Sequence, residues 1–190
     1  MNPEAGGADK ALLPLRGKPF ITHVREKLAP QCAALAINAG GDAVRFAQTG
    51  LPVVPDDPAF AGAGPLAGIL AGLEFAAAAG FDRVATIPVD TPFFPDDYVA
   101  RLLETAEDRP GAQIVCAATE GRAHYVCGLF PVALRGGLRR ALADGQRRVS
   151  GWVISQGMAT ADFPAGPDGW DPFHNINTPD DLAAAEAALA

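Results

Sequence analysis

The fold is decided by the stretch Val84-Ala85-Thr86-Ile87-Pro88-Val89-Asp90-Thr91-Pro92 and by the segments on its two sides. The short apolar run 84–89 predicts a buried strand, and the turn at 90–92 ends it. Before this strand, Pro65 opens a long apolar helix to Ala79, which Gly80 closes. After it, a second helix is predicted over 95–107. A strand between two helices is typical of a parallel α/β sheet.

The rest of the chain repeats this alternation. Other strands are predicted at 35–37, 53–54, 114–118 and 125–130, with an edge strand at 159–163. Helices are predicted at 19–28, 42–48 and 149–156, and another runs through Leu142. The last helix begins after Thr178, with Asp181 placed to complete a capping box. We therefore expect an α/β fold of three layers with a doubly wound, mostly parallel sheet, formed by a single domain over residues 1–190.

Three predicted strands each bring a polar residue to the same edge of this sheet. Asn38 follows the strand 35–37, Asp56 lies two residues after 53–54, and Asp90 follows 84–89. Ligands in open α/β sheets bind outside the carboxyl ends of the strands. Each residue alone is also explained as a turn former or helix cap. Their convergence favours a ligand site.

Asp90 carries most of this signal. A lone carboxylate at the mouth of an apolar strand is costly unless it is paired or holds a metal ion. Mg²⁺ takes one or two carboxylates together with substrate phosphates and water. One aspartate at this position is therefore enough for a Mg²⁺–nucleotide site. The alternative is that Asp90 only caps the turn after the strand.

Two glycine-rich segments are candidate phosphate-binding loops. Gly6 and Gly7 precede Lys10, and bare amides followed by a cation suit a triphosphate, although a frayed terminus is the simpler interpretation. The segment 62–68 has the wrong spacing for a dinucleotide fingerprint, which excludes a Rossmann dehydrogenase. Gly64 and Gly68 still permit close backbone approach at a helix N-terminus.

Composition excludes several other classes. The net charge of −7 opposes non-specific binding to nucleic acid. The three cysteines form no CxxC pair and are expected to be buried, and the three histidines have no metal-ligand spacing. The chain contains no apolar stretch of the ~20 residues that span a membrane, and we expect no signal peptide because its first residues lack a basic region and an apolar core. We expect a cytoplasmic protein that binds no membrane.

Eight short segments follow one another along the chain: Gly6-Gly7-Ala8-Asp9-Lys10, Gly17-Lys18-Pro19-Phe20, Asn38-Ala39, Pro55-Asp56-Asp57, Gly64-Pro65-Leu66-Ala67-Gly68, Pro88-Val89-Asp90-Thr91-Pro92, Gly145-Gln146-Arg147-Arg148-Val149 and Asn175-Ile176-Asn177-Thr178-Pro179. In this order they resemble the molybdenum cofactor guanylyltransferase family over nearly the whole chain. The resemblance implies a Rossmann-like nucleotidyltransferase fold. It also implies a transferase that moves GMP from GTP to the terminal phosphate of molybdopterin, with Mg²⁺ bound.

The resemblance also implies roles for individual residues. Gly6, Gly7 and Lys10 would contact the phosphates, and Lys10 and Asp90 would be catalytic, with Asp90 as the Mg²⁺ ligand. The remaining nucleotide contacts would be Asn38, Asp56 and Gly64. The molybdopterin side would be formed by Arg148, Asn175 and Asn177.

In one respect the sequence departs from the family pattern. The family opens with a strand and a Leu-Ala-Gly-Gly loop, and residues 1–5 stand in that region here. On this comparison we expect the strand and its first glycines to be missing, which would weaken GTP binding and activity.

Three functions stay open at this stage. Beside the guanylyltransferase, the residues allow a cytidylyltransferase acting on molybdopterin or a related phosphate substrate. A catalytically silent protein that binds nucleotide or cofactor is the third. In each case we expect a monomer, with transient contact to proteins that deliver or accept the cofactor.

Overall fold

The computed structural model describes residues 9–166 and 169–188. Its α-helices are α1 (Phe20–Leu28), α2 (Pro65–Ala78), α3 (Tyr98–Asp108), α4 (Arg135–Ala143), α5 (Val149–Ser155) and α6 (Pro179–Ala188). Short 3₁₀ helices cover Lys10–Leu12, Ala29–Gln31, Ala43–Thr49, Pro58–Phe60 and Val132–Leu134. The predicted helices are therefore present, except that the segment after Asp42 is a 3₁₀ helix.

The strands are β1 (Pro14–Leu15), β2 (Lys18–Pro19), β3 (Ile37–Asn38), β4 (Val53–Val54), β5 (Arg83–Thr86), β6 (Ile114–Thr119), β7 (Arg122–Pro131) and β8 (Met158–Phe163). The main sheet has the order β5-β7-β6-β8, and β3 pairs with β4 in parallel. β7 is antiparallel to both of its neighbours, whereas β6 and β8 are parallel. Three of these four strands thus run in one direction, as a mostly parallel sheet requires.

The direction of β7 follows from a tight turn. Glu120 and Gly121 connect β6 to β7, and both have positive φ, at 50° and 78°. Two consecutive residues with positive φ form the hairpin turn whose twist matches that of paired strands. A two-residue connection leaves no length for a helical crossover, so β7 must run antiparallel to β6.

Helices cover both faces of this sheet. Along β6, Ile114 and Cys116 pack into the apolar cluster that contains α2, α4 and α5. Val115 and Ala117 point the other way, into the cluster of α3 and β8. Alternate residues of a strand face opposite sides, so a strand that is apolar throughout needs cover on both. The three-layer α/β prediction is confirmed.

Two details of the strand prediction were wrong. β5 ends at Thr86 instead of Val89, so Asp90 lies in the turn beyond the strand and not at its end. Pro88 explains this, because proline has no N–H to donate to a ladder. β3 begins only at Ile37, which makes Asn38 its last residue.

Two of the three cysteines, Cys116 and Cys127, are buried as predicted, whereas Cys32 is only partly buried. All three are free, and burial raises the pKa of the Cys116 thiol to about 12. A thiol with such a pKa is protonated at neutral pH and unreactive. Within the described ranges, no helix has the length and apolar character needed to cross a lipid bilayer.

Candidate active site

The centre of the site is an ion pair between Lys10 and Asp90. Lys10 Nζ lies 2.7 Å from Asp90 Oδ2, and it also donates to Asn177 Oδ1 at 2.6 Å. The side chains of Lys10 and Asp90 are 34% and 16% exposed. Lys10 is positioned by a helix cap, because Asp9 accepts the N–H of Ala11 at the start of the first 3₁₀ helix. Lys10 and Asp90, the two residues expected to be catalytic, are therefore in direct contact.

The second oxygen of Asp90 is buried and has no hydrogen-bonding partner among the described residues. An unpaired buried carboxylate oxygen carries a desolvation cost that a bound cation would offset. Among the described residues no three His, Cys, Asp or Glu side chains converge as a metal site. A cation at Asp90 would thus complete its shell with phosphate oxygens and water, which is the coordination that Mg²⁺ prefers.

The segment 175–177 is anchored on the Asp90 turn. The N–H of Ile176 donates to the carbonyl oxygen of Asp90 at 2.9 Å. Asn175 Oδ1 accepts the hydroxyl of Thr91 at 2.8 Å. These bonds bring Asn175 and Asn177, which the resemblance assigns to the molybdopterin side, next to Lys10 and Asp90.

A capping box fixes the backbone of this segment. Asp181 Oδ2 accepts the N–H groups of Asn177 and Thr178, both at 2.9 Å, and Thr178 Oγ1 accepts the N–H of Asp181 at 3.1 Å. This is the capping arrangement that the sequence predicts. The two backbone N–H groups hold the pKa of Asp181 down at about 2.

A second polar pair joins β3 to the loop after β4. Asn38 Nδ2 donates to Asp56 Oδ1 at 2.9 Å and to the carbonyl oxygen of Val54 at 3.0 Å. The two predicted nucleotide residues are therefore in contact.

The first turn of α2 packs directly against this pair. Gly64 is the N-cap of α2 with φ 77° and ψ −160°, a conformation that favours glycine. A Cβ at Gly68 would lie 2.4 Å from Asn38 Oδ1. The close approach expected at Gly68 is thus made by the Asn38 side chain.

An arginine that was not predicted as a site residue lies between the Lys10–Asp90 pair and the Asn38–Asp56 pair. Arg45 Nε donates to Asp9 Oδ2 at 2.6 Å, and its Nη2 donates to the carbonyl oxygen of Gly40 at 2.6 Å. Arg45 therefore ties the Lys10 segment to the loop that follows Asn38. Asp9 was present in the quoted Gly-Gly-Ala-Asp-Lys segment, but nothing local indicated its partner.

A cavity of about 350 Å³ opens beside Asn175 and Asn177. One wall is the stretch 122–127 of β7, and the other contains Asp171, Phe173 and His174. No metal or catalytic role is predicted for the histidines, yet His124 and His174 both line this cavity. Their spacing carried no signal, because the contact is made by distant segments of the chain.

One predicted acceptor residue, Arg148, is not brought to this centre. Arg148 is exposed at the N-cap of α5, and the described part of the chain shows no hydrogen bond from its side chain to Asn175 or Asn177. Gly6 and Gly7 lie outside the described residues.

Comparison with solved structures identifies the fold. The fold matches a crystal structure of molybdopterin-guanine dinucleotide biosynthesis protein A from Archaeoglobus fulgidus with a TM-score of 0.72, 21% identity and coverage of 96% of this chain and 91% of that one. It also matches 2-C-methyl-D-erythritol 4-phosphate cytidylyltransferase from Thermus thermophilus, with a TM-score of 0.67, 21% identity and coverage of 95% and 93%. The fold is that of nucleotidyltransferases.

Sequence comparison then gives the family. Residues 4–157 match the model of the MobA-like NTP transferase domain. The chain is 49% identical over 186 residues to a molybdenum cofactor guanylyltransferase of Cereibacter sphaeroides, covering 97% of this chain and 90% of that protein. Its identity to the Acidiphilium cryptum protein of the same name is 45%, with coverage of 96% and 87%. The chain belongs to the MobA-like NTP transferase family, whose members are nucleotidyltransferases, and the suspected resemblance is confirmed.

Proposed function

We propose that this protein transfers GMP from GTP to the terminal phosphate of molybdopterin, giving a guanine dinucleotide and pyrophosphate. The observation that carries the proposal is that Lys10 contacts both Asp90 and Asn177. Lys10 and Asp90 are predicted to bind the nucleotide, and Asn177 is predicted to bind the acceptor, so the two substrates would meet at this point. The relatives named molybdenum cofactor guanylyltransferase support this choice of substrates.

In the proposed reaction, an oxygen of the acceptor phosphate attacks the α-phosphorus of GTP. The bond from the α-phosphorus to the bridging oxygen breaks, and pyrophosphate leaves with the electron pair. The acceptor phosphate is already an anion, so the chain needs no base to activate it. Positioning and neutralisation of charge are what the protein must supply.

The residues divide this work between them. Lys10 donates to the phosphates, and Asp90 would hold Mg²⁺, which would neutralise charge on the phosphoryl oxygens. On the nucleotide side, Asn38 and Asp56 bind GTP beside the N-terminus of α2 at Gly64, where the helix dipole favours an anion. Gly6 and Gly7 are proposed to add phosphate contacts. On the acceptor side, Arg148, Asn175 and Asn177 bind molybdopterin.

The number of domains, the oligomeric state, the partners and the location of the protein are also proposed. We propose one domain, because described residues beyond position 157 dock on the Asp90 turn. One chain supplies Lys10, Asp90 and Asn177, so a monomer suffices for activity. The net charge of −7 opposes nucleic acid as a partner. Activity in the cytoplasm, with transient contact to proteins that handle the cofactor, is proposed from the family's substrates.

The test of the metal role is Asp90→Asn, with Asp97→Asn as the matched control. Asp97 is an exposed aspartate whose ion-pair partner within the described ranges is Arg101 on α3. Loss of metal stabilisation removes several kcal/mol from the transition state, and each ~1.4 kcal/mol is tenfold in rate. We expect Asp90→Asn to lose more than about a hundredfold in dinucleotide formation. Near-native turnover of Asp90→Asn at saturating Mg²⁺ would contradict the role.

A cytidylyltransferase is the second candidate, favoured by the fold shared with the Thermus thermophilus enzyme. Calorimetry with GTP and with CTP in the presence of Mg²⁺ separates the two functions. Tighter binding and turnover of CTP would overturn the proposed guanylyltransferase. Nucleotide binding without turnover of molybdopterin would indicate a silent binding protein.

A further inference from the structure

The cavity beside Asn175 and Asn177 contains polar groups that have no role so far. Its position is set by Asn177, which lines the cavity and also accepts the Lys10 N–H at the reaction centre. A molecule in this cavity would therefore extend to Lys10 and Asp90. The volume of about 350 Å³ lies within the range of small-molecule sites, roughly 300–1,000 Å³.

The floor of the cavity is a histidine held in one orientation. The His124 ring packs on Phe173, with ring centroids 5.1 Å apart and an interplanar angle of 37°. Phe173 in turn contacts Tyr98 and Phe163, so the floor continues into the apolar core. The His124 side chain is only 11% exposed, and burial lowers the pKa of its imidazole. A neutral, flat ring is therefore presented to the cavity.

The polar group beside this ring is the carboxylate of Asp171. Its Oδ1 accepts the N–H of Phe173 at 2.9 Å, which fixes the side chain. Its Oδ2 lies 3.2 Å from His124 Nε2, and this nitrogen makes no hydrogen bond to any of the described residues. Asp171 is 22% exposed and lines the cavity. Each oxygen retains a lone pair for a ligand, since a carboxylate accepts about four hydrogen bonds.

A fixed carboxylate beside a flat ring suits one kind of ligand. A 2-amino-4-oxopyrimidine ring carries two adjacent N–H donors, which match the two oxygens of a carboxylate as a guanidinium does. Its flat face can stack on an aromatic floor. Both guanine and pterins contain this ring. Asn38 and Asp56, the nucleotide candidates, do not line the cavity, whereas Asn175 and Asn177 do.

We propose that Asp171, held in place by the Phe173 N–H and lying beside the His124 ring, binds the aminopyrimidinone edge of the pterin of the acceptor in this cavity. The inference rests on the proposed function, because it takes molybdopterin as the acceptor. Asp171 then selects pterins, and the phosphate end of the acceptor extends past Asn177 to the reaction centre.

The test uses Asp171→Asn and His124→Gln in the full chain, with Glu104→Gln as the control. Glu104 is an exposed carboxylate on α3 with no ion pair or hydrogen bond among the described residues. Asparagine at 171 can still accept the Phe173 N–H, so Asp171→Asn is expected to fold. A simple pterin without phosphate, molybdopterin and GTP are titrated separately into each protein.

We expect Asp171→Asn to weaken pterin and molybdopterin binding at least tenfold and GTP binding less than twofold. The KM for molybdopterin should rise at least tenfold while kcat changes less than threefold. His124→Gln should weaken pterin binding in the same direction, and Glu104→Gln should change nothing.

Unchanged pterin binding in Asp171→Asn would overturn the inference. A selective tenfold loss of GTP affinity would also overturn it and assign the carboxylate to guanine. The wild-type protein separates this outcome from a failure of the proposed function. If it forms no dinucleotide from GTP and molybdopterin, the proposed function fails, whatever the variants bind.

Discussion

Gly68 and Gly72 offer a matched pair of substitutions within one helix. Both lie in α2, and replacing either with alanine favours the helix by about 0.8–1.0 kcal/mol. A Cβ at Gly72 meets its nearest atom, Val84 Cγ1, at an ordinary 3.5 Å. A Cβ at Gly68 would meet Asn38 Oδ1 at 2.4 Å, where real Cβ atoms do not occur. The two variants therefore differ mainly in what they do to Asn38.

The Asn38 side chain cannot move away without loss. Its amide nitrogen donates to the Val54 carbonyl and to the Asp56 carboxylate, and rotation breaks both bonds. Their combined net contribution is about 2 kcal/mol, taken near the lower end of the usual ranges because the pair is exposed. After the gain in helix propensity, Gly68→Ala should be destabilised by about 1 kcal/mol, whereas Gly72→Ala should be stabilised by up to about 1 kcal/mol.

Thermal unfolding and GTP calorimetry on the two variants test this reasoning. For a chain of this size, 1 kcal/mol corresponds to about 2–4 °C in Tm, so the variants should move in opposite directions. Loss of one nucleotide contact, about 1.4 kcal/mol, should raise the Kd for GTP of Gly68→Ala about tenfold, with Gly72→Ala unchanged. Equal stabilisation of both variants with unchanged GTP affinity would refute the argument.

Two further predictions concern the role of Arg148 in binding the acceptor and the role of Asp181 in stability at low pH. Arg148→Ala should weaken molybdopterin binding more than GTP binding, because arginine suits bidentate phosphate contacts; an equal or larger loss of GTP affinity in calorimetry would show the assignment to be wrong. The pKa of Asp181 is lowered to about 2, so its carboxylate contributes stability above its unfolded value near 4, and this is lost as pH falls towards 2. Asp181→Asn should reduce the fall in the free energy of unfolding between pH 6 and pH 2, and an unchanged dependence on pH would contradict this prediction.

Local signals explain what the sequence predicted well. Pro65 at a helix start, Gly80 after its end and the Thr178–Asp181 capping box each act within a few residues. The apolar runs that became β5 and β6 needed only their composition and length to be recognised. The fold class followed because these elements alternate along the chain.

Contacts between distant segments could not be predicted in this way. Lys10 and Asp90 are 80 residues apart, and their pairing depends on how the sheet edge and the N-terminal segment come together. The Asp9–Arg45 pair and the approach of His124 to Asp171 are of the same kind. The polar ends of the strands indicated the Asn38–Asp56 pair, but no short pattern indicated the cavity.

The position of Lys10 depends on a helix cap far along the chain. The matched family region ends at residue 157, yet Asn177, which accepts the Lys10 N–H, belongs to the segment that leads into α6. Asp181 holds the backbone of Asn177, and the Ile176 N–H holds the same segment to the Asp90 carbonyl. Two backbone attachments therefore set the distance from Asn177 to the Lys10–Asp90 pair. The cap of α6 is thus part of the site as well as of the fold, because it holds Asn177, a proposed acceptor-binding residue, against Lys10, a proposed nucleotide-binding residue.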